Sequence, residues 1–234
     1  MDQEDKRPLL KTGLVLVGAG LGKRMGWMDK AFVLLGEQPL IYWPTLAAQG
    51  SELIHNIVFV LSPANVERGQ KMVEEHGFSK ITRICAGGER RQDSVKIGID
   101  NLPGCDWVLI HDIARPFLDT SLIEGGLEAV KETGAAVAAI PTKDTLKFAH
   151  PNLTVAETPK RENLWTVQTP QVFRFDIIAD AYNSQGEATD DASLVERLGY
   201  EVKLYTGSHE NIKVTTPEDL ALAEIILRKR GQCV

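Results

Sequence analysis

Gly13-Leu14-Val15-Leu16-Val17-Gly18-Ala19-Gly20-Leu21-Gly22-Lys23-Arg24-Met25 decides the fold. Its first five residues are an apolar run of the kind found in parallel strands covered on both faces, and the run enters a glycine turn without a break. Four more such runs follow, at 57–61, 80–85, 107–110 and 135–140. Between them lie stretches with helical period, clearest at 63–76, 91–101 and 121–132, with a weaker one at 40–49 that Pro44 interrupts. Strands alternating with helices specify an α/β fold with a mostly parallel sheet flanked by helices. Further on, 176–184 and 191–198 read as helices and 201–205 and 211–214 as strands. A last helix opens on Thr216 as cap and Pro217 in the first turn, with Glu218 and Asp219 favouring its dipole.

The whole chain supports one large domain. It has 234 residues, 43% apolar and 25% charged, enough for a substantial core and too apolar for a disordered tail. The net charge of -6 argues against wholesale nucleic-acid binding, so an anionic substrate must meet a local basic cluster. No stretch approaches the ~20 apolar residues of a membrane span. The opening Met1-Asp2-Gln3-Glu4-Asp5 lacks the charged-then-apolar pattern of an export signal, so a cytoplasmic protein is expected. Cys85, Cys105 and Cys233 are odd in number and widely spaced, as reduced bystanders are. From 142 to 165 the chain turns polar, with Pro151 and Pro159, and reads as a loop or a protruding arm suited to a subunit partner.

Three segments carry chemistry. The turn after the first strand fits neither dinucleotide nor Walker patterns, because Lys23 stands at the third glycine position of the one and Arg24 at the hydroxyl position of the other. A glycine turn followed by Lys23, Arg24 and Lys30 suits a triphosphate; the alternative is a bare turn with solvated cations. Gly87-Gly88-Glu89-Arg90-Arg91-Gln92-Asp93-Ser94 again joins a strand to a helix, where glycine backbone and the Ser94 hydroxyl can read a base edge, or where Asp93 and Ser94 simply start the helix. His111-Asp112-Ile113-Ala114-Arg115-Pro116 follows the strand at 107–110, which sets Asp112 at the carboxyl edge of the sheet. Magnesium takes one or two such carboxylates, and Arg115 can clamp a phosphate; the alternative is a surface ion pair worth under ~1 kcal/mol. His111 shares no metal-like spacing with another ligand and reads as a packed residue.

These blocks, with Asp144-Thr145, Gln168-Thr169-Pro170-Gln171, Thr189-Asp190-Asp191-Ala192-Ser193 and Asn211-Ile212-Lys213-Val214-Thr215, resemble the 2-C-methyl-D-erythritol 4-phosphate cytidylyltransferase family in order and spacing. The resemblance implies a Rossmann-like nucleotidyltransferase fold, a homodimer joined through the arm at about 142–165, and Mg2+-dependent transfer of CMP from CTP to methylerythritol phosphate on the non-mevalonate route to isoprenoids. It implies that Gly18, Ala19, Gly20, Gly22, Gly88, Glu89 and Ser94 bind the nucleotide, and that Asp112 holds the metal. Arg24, Lys30 and Lys213 would stabilise developing charge. Arg115, Thr169 and Thr189 would bind the acceptor, with Thr145 and Arg161 supplied by the partner subunit. Two features depart from the family pattern: one residue fewer separates Arg24 from Lys30, and Glu89 stands where Asp is usual. Neither nucleic acid nor membrane is an expected partner. The same motifs leave room for a ribitol-5-phosphate cytidylyltransferase or, in another class, a non-catalytic nucleotide-binding regulator.

Overall fold

The computed structural model describes residues 10–20, 30–184, 186 and 188–231. In chain order the strands and helices are β1 (Thr12–Gly18), β2 (Leu34–Leu35), β3 (Gln38–Pro39), α1 (Tyr42–Gly50), β4 (Asn56–Leu61), α2 (Val66–His76), β5 (Ile81–Ala86), α3 (Arg91–Asp100), β6 (Trp107–Asp112), α4 (Thr120–Thr133), β7 (Ala135–Pro141), β8 (Phe148–Ala149), β9 (Val155–Glu157), β10 (Trp165–Arg174), α5 (Phe175–Asn183), α6 (Asp191–Arg197), β11 (Lys203–Thr206) and α7 (Pro217–Lys229). Seven strands form one sheet in the order β11-β7-β10-β6-β1-β4-β5. All neighbours are parallel except β10, which runs antiparallel to both β6 and β7.

The apolar runs are continuous because both sheet faces are covered. In β1 and β4, Leu14, Leu16, Ile57 and Phe59 face one core with Ala48, Met72, Leu122 and Val130, which puts α1, α2 and α4 on that side. The alternate residues Val15, Val17, Val58 and Val60 face a second core with Val95, Ile99, Ile177 and Val195, from α3, α5 and α6. This period-two division between two apolar layers is what a parallel sheet demands. A third cluster, with Leu35, Trp43, Phe117 and Leu227, docks α7 beside the β2–β3 ribbon. No helix among the described residues is long and apolar enough to cross a membrane.

The structure corrects three sequence expectations. Pro44 does not break α1, because it occupies the third position of the helix, where the backbone N–H would lack an intrahelical partner in any case. The long strand β10 has no counterpart in the sequence reading, because polar Gln168-Thr169-Pro170-Gln171 at its centre resembles a loop; Gln168, Thr169 and Gln171 are in fact buried. Residues 211–214, expected as a strand, take an irregular path: Asn211 and Ile212 N–H donate locally to the Ser208 and Glu210 carbonyls, and Val214 N–H reaches the Ala114 carbonyl at 2.7 Å, with no strand pairing. That path carries Lys213 across the end of β6 rather than along a sheet edge. The polar stretch after β7 holds a two-stranded ribbon, β8 with β9, on which Phe148 and Val155 are exposed. Cys85 and Cys105 are free thiols, and Cys233 lies outside the described residues.

Candidate functional site

The chain leaves β1 towards β4 and β5, then crosses back to place β6 on the other side of β1. Such a reversal opens a crevice at the carboxyl ends of the strands, and a cleft lies there. Gly18, Ala19, Gly20 and Lys30 form one wall, Gly88, Glu89 and Ser94 the other, with Asp112 and Lys213 between them. The walls touch through glycine: a side chain on Gly87 would put its Cβ 2.2 Å from Ala19 Cβ, and one on Gly18 would meet Ile113 at 2.5 Å. Ser94 is buried, and its Oγ accepts from Gly88 N–H and donates to the Arg90 carbonyl, both at 3.1 Å. The hydroxyl therefore shapes the Gly88 turn. Gly22 and Arg24 lie outside the described residues.

A second recess adjoins the first and shares Arg91, Asp112 and Lys213 with it. Arg115, Thr169 and Thr189 line this recess. Arg115 donates from Nη1 to the Asn211 carbonyl at 2.7 Å, while its buried Nε finds no hydrogen-bond partner among the described residues. The Thr169 hydroxyl accepts from Asp112 N–H at 3.1 Å and lies 3.2 Å from His111 Nδ1. Gln168 and Gln171 keep the recess walls in place: Gln168 binds the Ser208 carbonyl, and Gln171 binds Asp190, which caps α6. Thr145 and Arg161 line neither recess; Arg161 Nη1 donates to the Lys143 carbonyl at 3.1 Å within the arm.

Asp112 joins the two recesses electrostatically. Its Oδ1 accepts from Arg91 Nε at 3.1 Å and its Oδ2 from Lys213 Nζ at 2.6 Å. Burial pushes the carboxyl up, but Arg91 first and Lys213 second outweigh it and hold the group well below the usual carboxylate range. It is ionised at neutral pH. Arg91 binds a second carboxylate, with Nη1 and Nη2 at 2.9 and 2.8 Å from Asp191 Oδ1 and Oδ2. Asp191 is fully buried and also accepts from the Tyr182 hydroxyl. Burial lowers the Arg91 affinity for its proton, yet Asp191 and then Asp112 raise it further, so the guanidinium is permanently charged. His111 is wholly buried; desolvation pushes it down to about 4, and its Nε2 donates to the Arg115 carbonyl at 2.9 Å. It is a packed, neutral histidine, as its sequence context indicates.

Arg91, Asp191 and Tyr182 were given no role in the sequence reading. Arg91 and Asp191 are 100 residues apart, and only the fold brings them together. The one local signal is that each stands within a motif block at the first position of a helix. Among the described residues no group of three or more His, Cys, Asp and Glu could hold a metal ion alone. Magnesium asks for less: one ionised carboxylate with free lone pairs, opening on a cleft wide enough for water and phosphate, is a suitable ligand set, and Asp112 supplies it with Glu89 on the same cleft.

This sheet, with its crevice at the strand ends, is that of a nucleotidyltransferase. A solved 4-diphosphocytidyl-2C-methyl-D-erythritol synthase from Anaerococcus prevotii matches with a TM-score of 0.84 at 26% identity, over 94% of this chain and 99% of that one. A 2-C-methyl-D-erythritol 4-phosphate cytidylyltransferase structure from Thermus thermophilus matches with a TM-score of 0.74 at 32% identity, over 92% and 98% of the two chains. The family model IspD, 2-C-methyl-D-erythritol 4-phosphate cytidylyltransferase, covers residues 13–229, and the chain belongs to that family. A curated relative of that name from Dehalococcoides mccartyi is 51% identical over 94% of this chain and 97% of its own length. Another, from Alkaliphilus oremlandii, is 44% identical over 95% and 97%.

Proposed function

We propose that this cleft transfers CMP from CTP to 2-C-methyl-D-erythritol 4-phosphate, releasing pyrophosphate, in the methylerythritol route to isoprenoids. The observation that carries the reading at the level of residues is the meeting of two recesses at one ionised carboxylate flanked by cations. The recess between the glycine turns takes the nucleotide, with Gly18, Ala19, Gly20, Gly88 and Glu89 against it and Ser94 fixing the Gly88 turn. Backbone N–H groups there can approach phosphate oxygens and a base edge closely. The recess with Arg115, Thr169 and Thr189 takes the acceptor phosphate.

The acceptor phosphate is already an anion, so the reaction needs neither a general base nor an activated side-chain nucleophile. An acceptor oxygen attacks the α-phosphorus of CTP, and the bond to the bridging oxygen of pyrophosphate breaks on the opposite side. The barrier lies in bringing two polyanions together. Lys30 and Lys213, with Arg24 beyond the described residues, neutralise charge as it moves onto the leaving group. Arg115 orients the acceptor. Magnesium at Asp112 would supply further charge neutralisation on the phosphate oxygens.

The arm completes the site from a second subunit. Leu146, Phe148, Leu153 and Val155 are exposed there, an apolar surface that a homodimer would cover. Thr145 and Arg161 would then reach the acceptor recess of the partner. The enzyme works in the cytoplasm with soluble substrates. The test is pyrophosphate release from purified protein with magnesium, each of the four nucleoside triphosphates, and methylerythritol phosphate or ribitol 5-phosphate as acceptor. Release with CTP and methylerythritol phosphate alone is expected; release with ribitol 5-phosphate instead would reassign the acceptor.

A further inference from the structure

Asp191 and Tyr182 are buried, whereas Arg91 is a third exposed and lines both recesses, with its guanidinium fork committed to Asp191. Desolvation of the buried carboxylate offsets much of the attraction, so the pair is a poor stabilising device and its placement calls for another explanation. Arg91 opens α3 two residues after Glu89 of the nucleotide-recess wall, with Arg90 as the helix cap between them, and Asp191 opens α6 directly after Thr189-Asp190 of the acceptor recess. The pair thus ties the two recesses together behind Asp112.

Its geometry is selective. The guanidinium fork, Nη1 and Nη2, goes to Asp191, and Asp112 receives only the single Nε bond. A carboxylate offers about four lone-pair positions, and Asp112 spends one on Arg91 and one on Lys213, which leaves two. A fork–fork pair between Arg91 and Asp112 would instead engage both oxygens with the strongest geometry available to an arginine.

We propose that Asp191, braced by the Tyr182 hydroxyl, is a positioning residue that occupies the Arg91 fork and thereby leaves the Asp112 carboxylate open to a divalent cation. The proposal rests on the transfer reading for what the cation serves, but not for the cation affinity itself. Without the Asp191 charge, the fork turns to Asp112, the remaining carboxylate bonded to Arg91, and competes with the metal. Tyr182 acts one step further out: its hydroxyl fixes which way the Asp191 oxygens face.

Asp191→Asn and Tyr182→Phe test this, each nearly isosteric. Mn2+ is titrated into the full-length protein with CTP and no acceptor, its free signal followed by electron paramagnetic resonance, and Mg2+ dependence of pyrophosphate release is measured alongside. Asp191→Asn is expected to weaken Mn2+ binding about tenfold or more and to raise the half-saturating Mg2+ to match, with turnover at saturating Mg2+ largely recovered. Tyr182→Phe shifts both in the same direction by less. Adding Arg91→Gln to Asp191→Asn removes the competing fork and brings Mn2+ affinity back towards wild type, which a merely structural ion pair would not do. Unchanged Mn2+ affinity in the folded variants overturns the proposal, and should Asp191→Asn not fold, Tyr182→Phe decides by the same readout. Wild-type protein that binds Mn2+ with CTP yet releases no pyrophosphate overturns the transfer reading instead, and the Mn2+ comparison still decides the role of Asp191.

Discussion

Lys213 Nζ lies 2.6 Å from Asp112 Oδ2, across 101 residues of chain, and the carboxylate it meets is itself held by Arg91. Lys213 is half-exposed whereas Asp112 is buried, so the ammonium can turn towards an entering phosphate while the carboxylate stays fixed. Lys213→Ala removes a preorganised cation from the point where the two recesses meet. Turnover is expected to fall by about 10²–10³, roughly 3–4 kcal/mol of barrier, with the CTP KM less affected. Lys30→Ala should behave similarly. Steady-state pyrophosphate release checks both, and turnover within a few-fold of wild type would remove these lysines from the charge-stabilising set.

The two glycine walls leave no space for a side chain at Gly87. A Cβ there would lie 2.2 Å from Ala19 Cβ and 2.7 Å from Ser94 Oγ, so Gly87→Ala must push the walls apart or displace the Ser94 bond to Gly88. Strain of about 1–3 kcal/mol follows. The CTP KM is expected to rise at least about tenfold, since the distortion falls on the nucleotide recess, while the acceptor KM changes little. Calorimetric melting and CTP titration of the variant separate the loss of stability from the loss of affinity.

Which parts of this architecture were legible in the chain follows from how they are buried. Of the six parallel strands, β1, β4, β6 and β7 are buried almost throughout and so appear as apolar runs, with glycine turns beside the sheet, whereas the edge strand β5 carries exposed Thr82 and Arg83. Strand β10 hides because its centre satisfies buried amides through distant partners: Gln168 through Ser208 and Asn211, Gln171 through Asp190 and Ala192. Residues 211–214 mislead in the opposite way, because Ile212 and Val214 alternate as in a strand while serving to pack a loop. Asp112, singled out from its block, and Lys213, singled out by the family resemblance, meet where the two recesses join. The Arg91–Asp191 pair was not legible in the chain, since no local pattern encodes a contact made between the starts of two separate helices.

His111 makes stability depend on pH in a defined window. Desolvation pushes its pKa down to about 4 from an ordinary 6.5, so between those values the unfolded chain carries a proton that the folded one refuses. Stability therefore falls as pH drops from about 6.5 to 4, by on the order of 3 kcal/mol from this group. Asp112 has the other sign of environment but acts lower: with its folded pKa depressed, it withdraws stability only as pH falls below the ordinary carboxylate range. Denaturant melts of wild type and His111→Gln from pH 7 to 4.5 isolate the histidine, and the variant should show the flatter profile. Parallel profiles would assign the acid loss to other groups.

Arg161 and Asp112 test whether each site is built from two chains. Arg161 lies on the arm and lines neither recess of its own chain, whereas Asp112 sits where the recesses join. If the arm serves a partner in a two-fold dimer, Arg161→Ala and Asp112→Ala each inactivate both sites of a homodimer. A mixed dimer then has one site with both lesions and one with neither. The mixed dimer keeps one intact site of two, so its activity should return to about half that of wild type. The measurement uses differently tagged chains, purified as the mixed species by two affinity steps and assayed for pyrophosphate release. A verified mixed dimer no more active than its parents would mean that Arg161 serves the chain that carries it, with the arm folding back upon substrate binding.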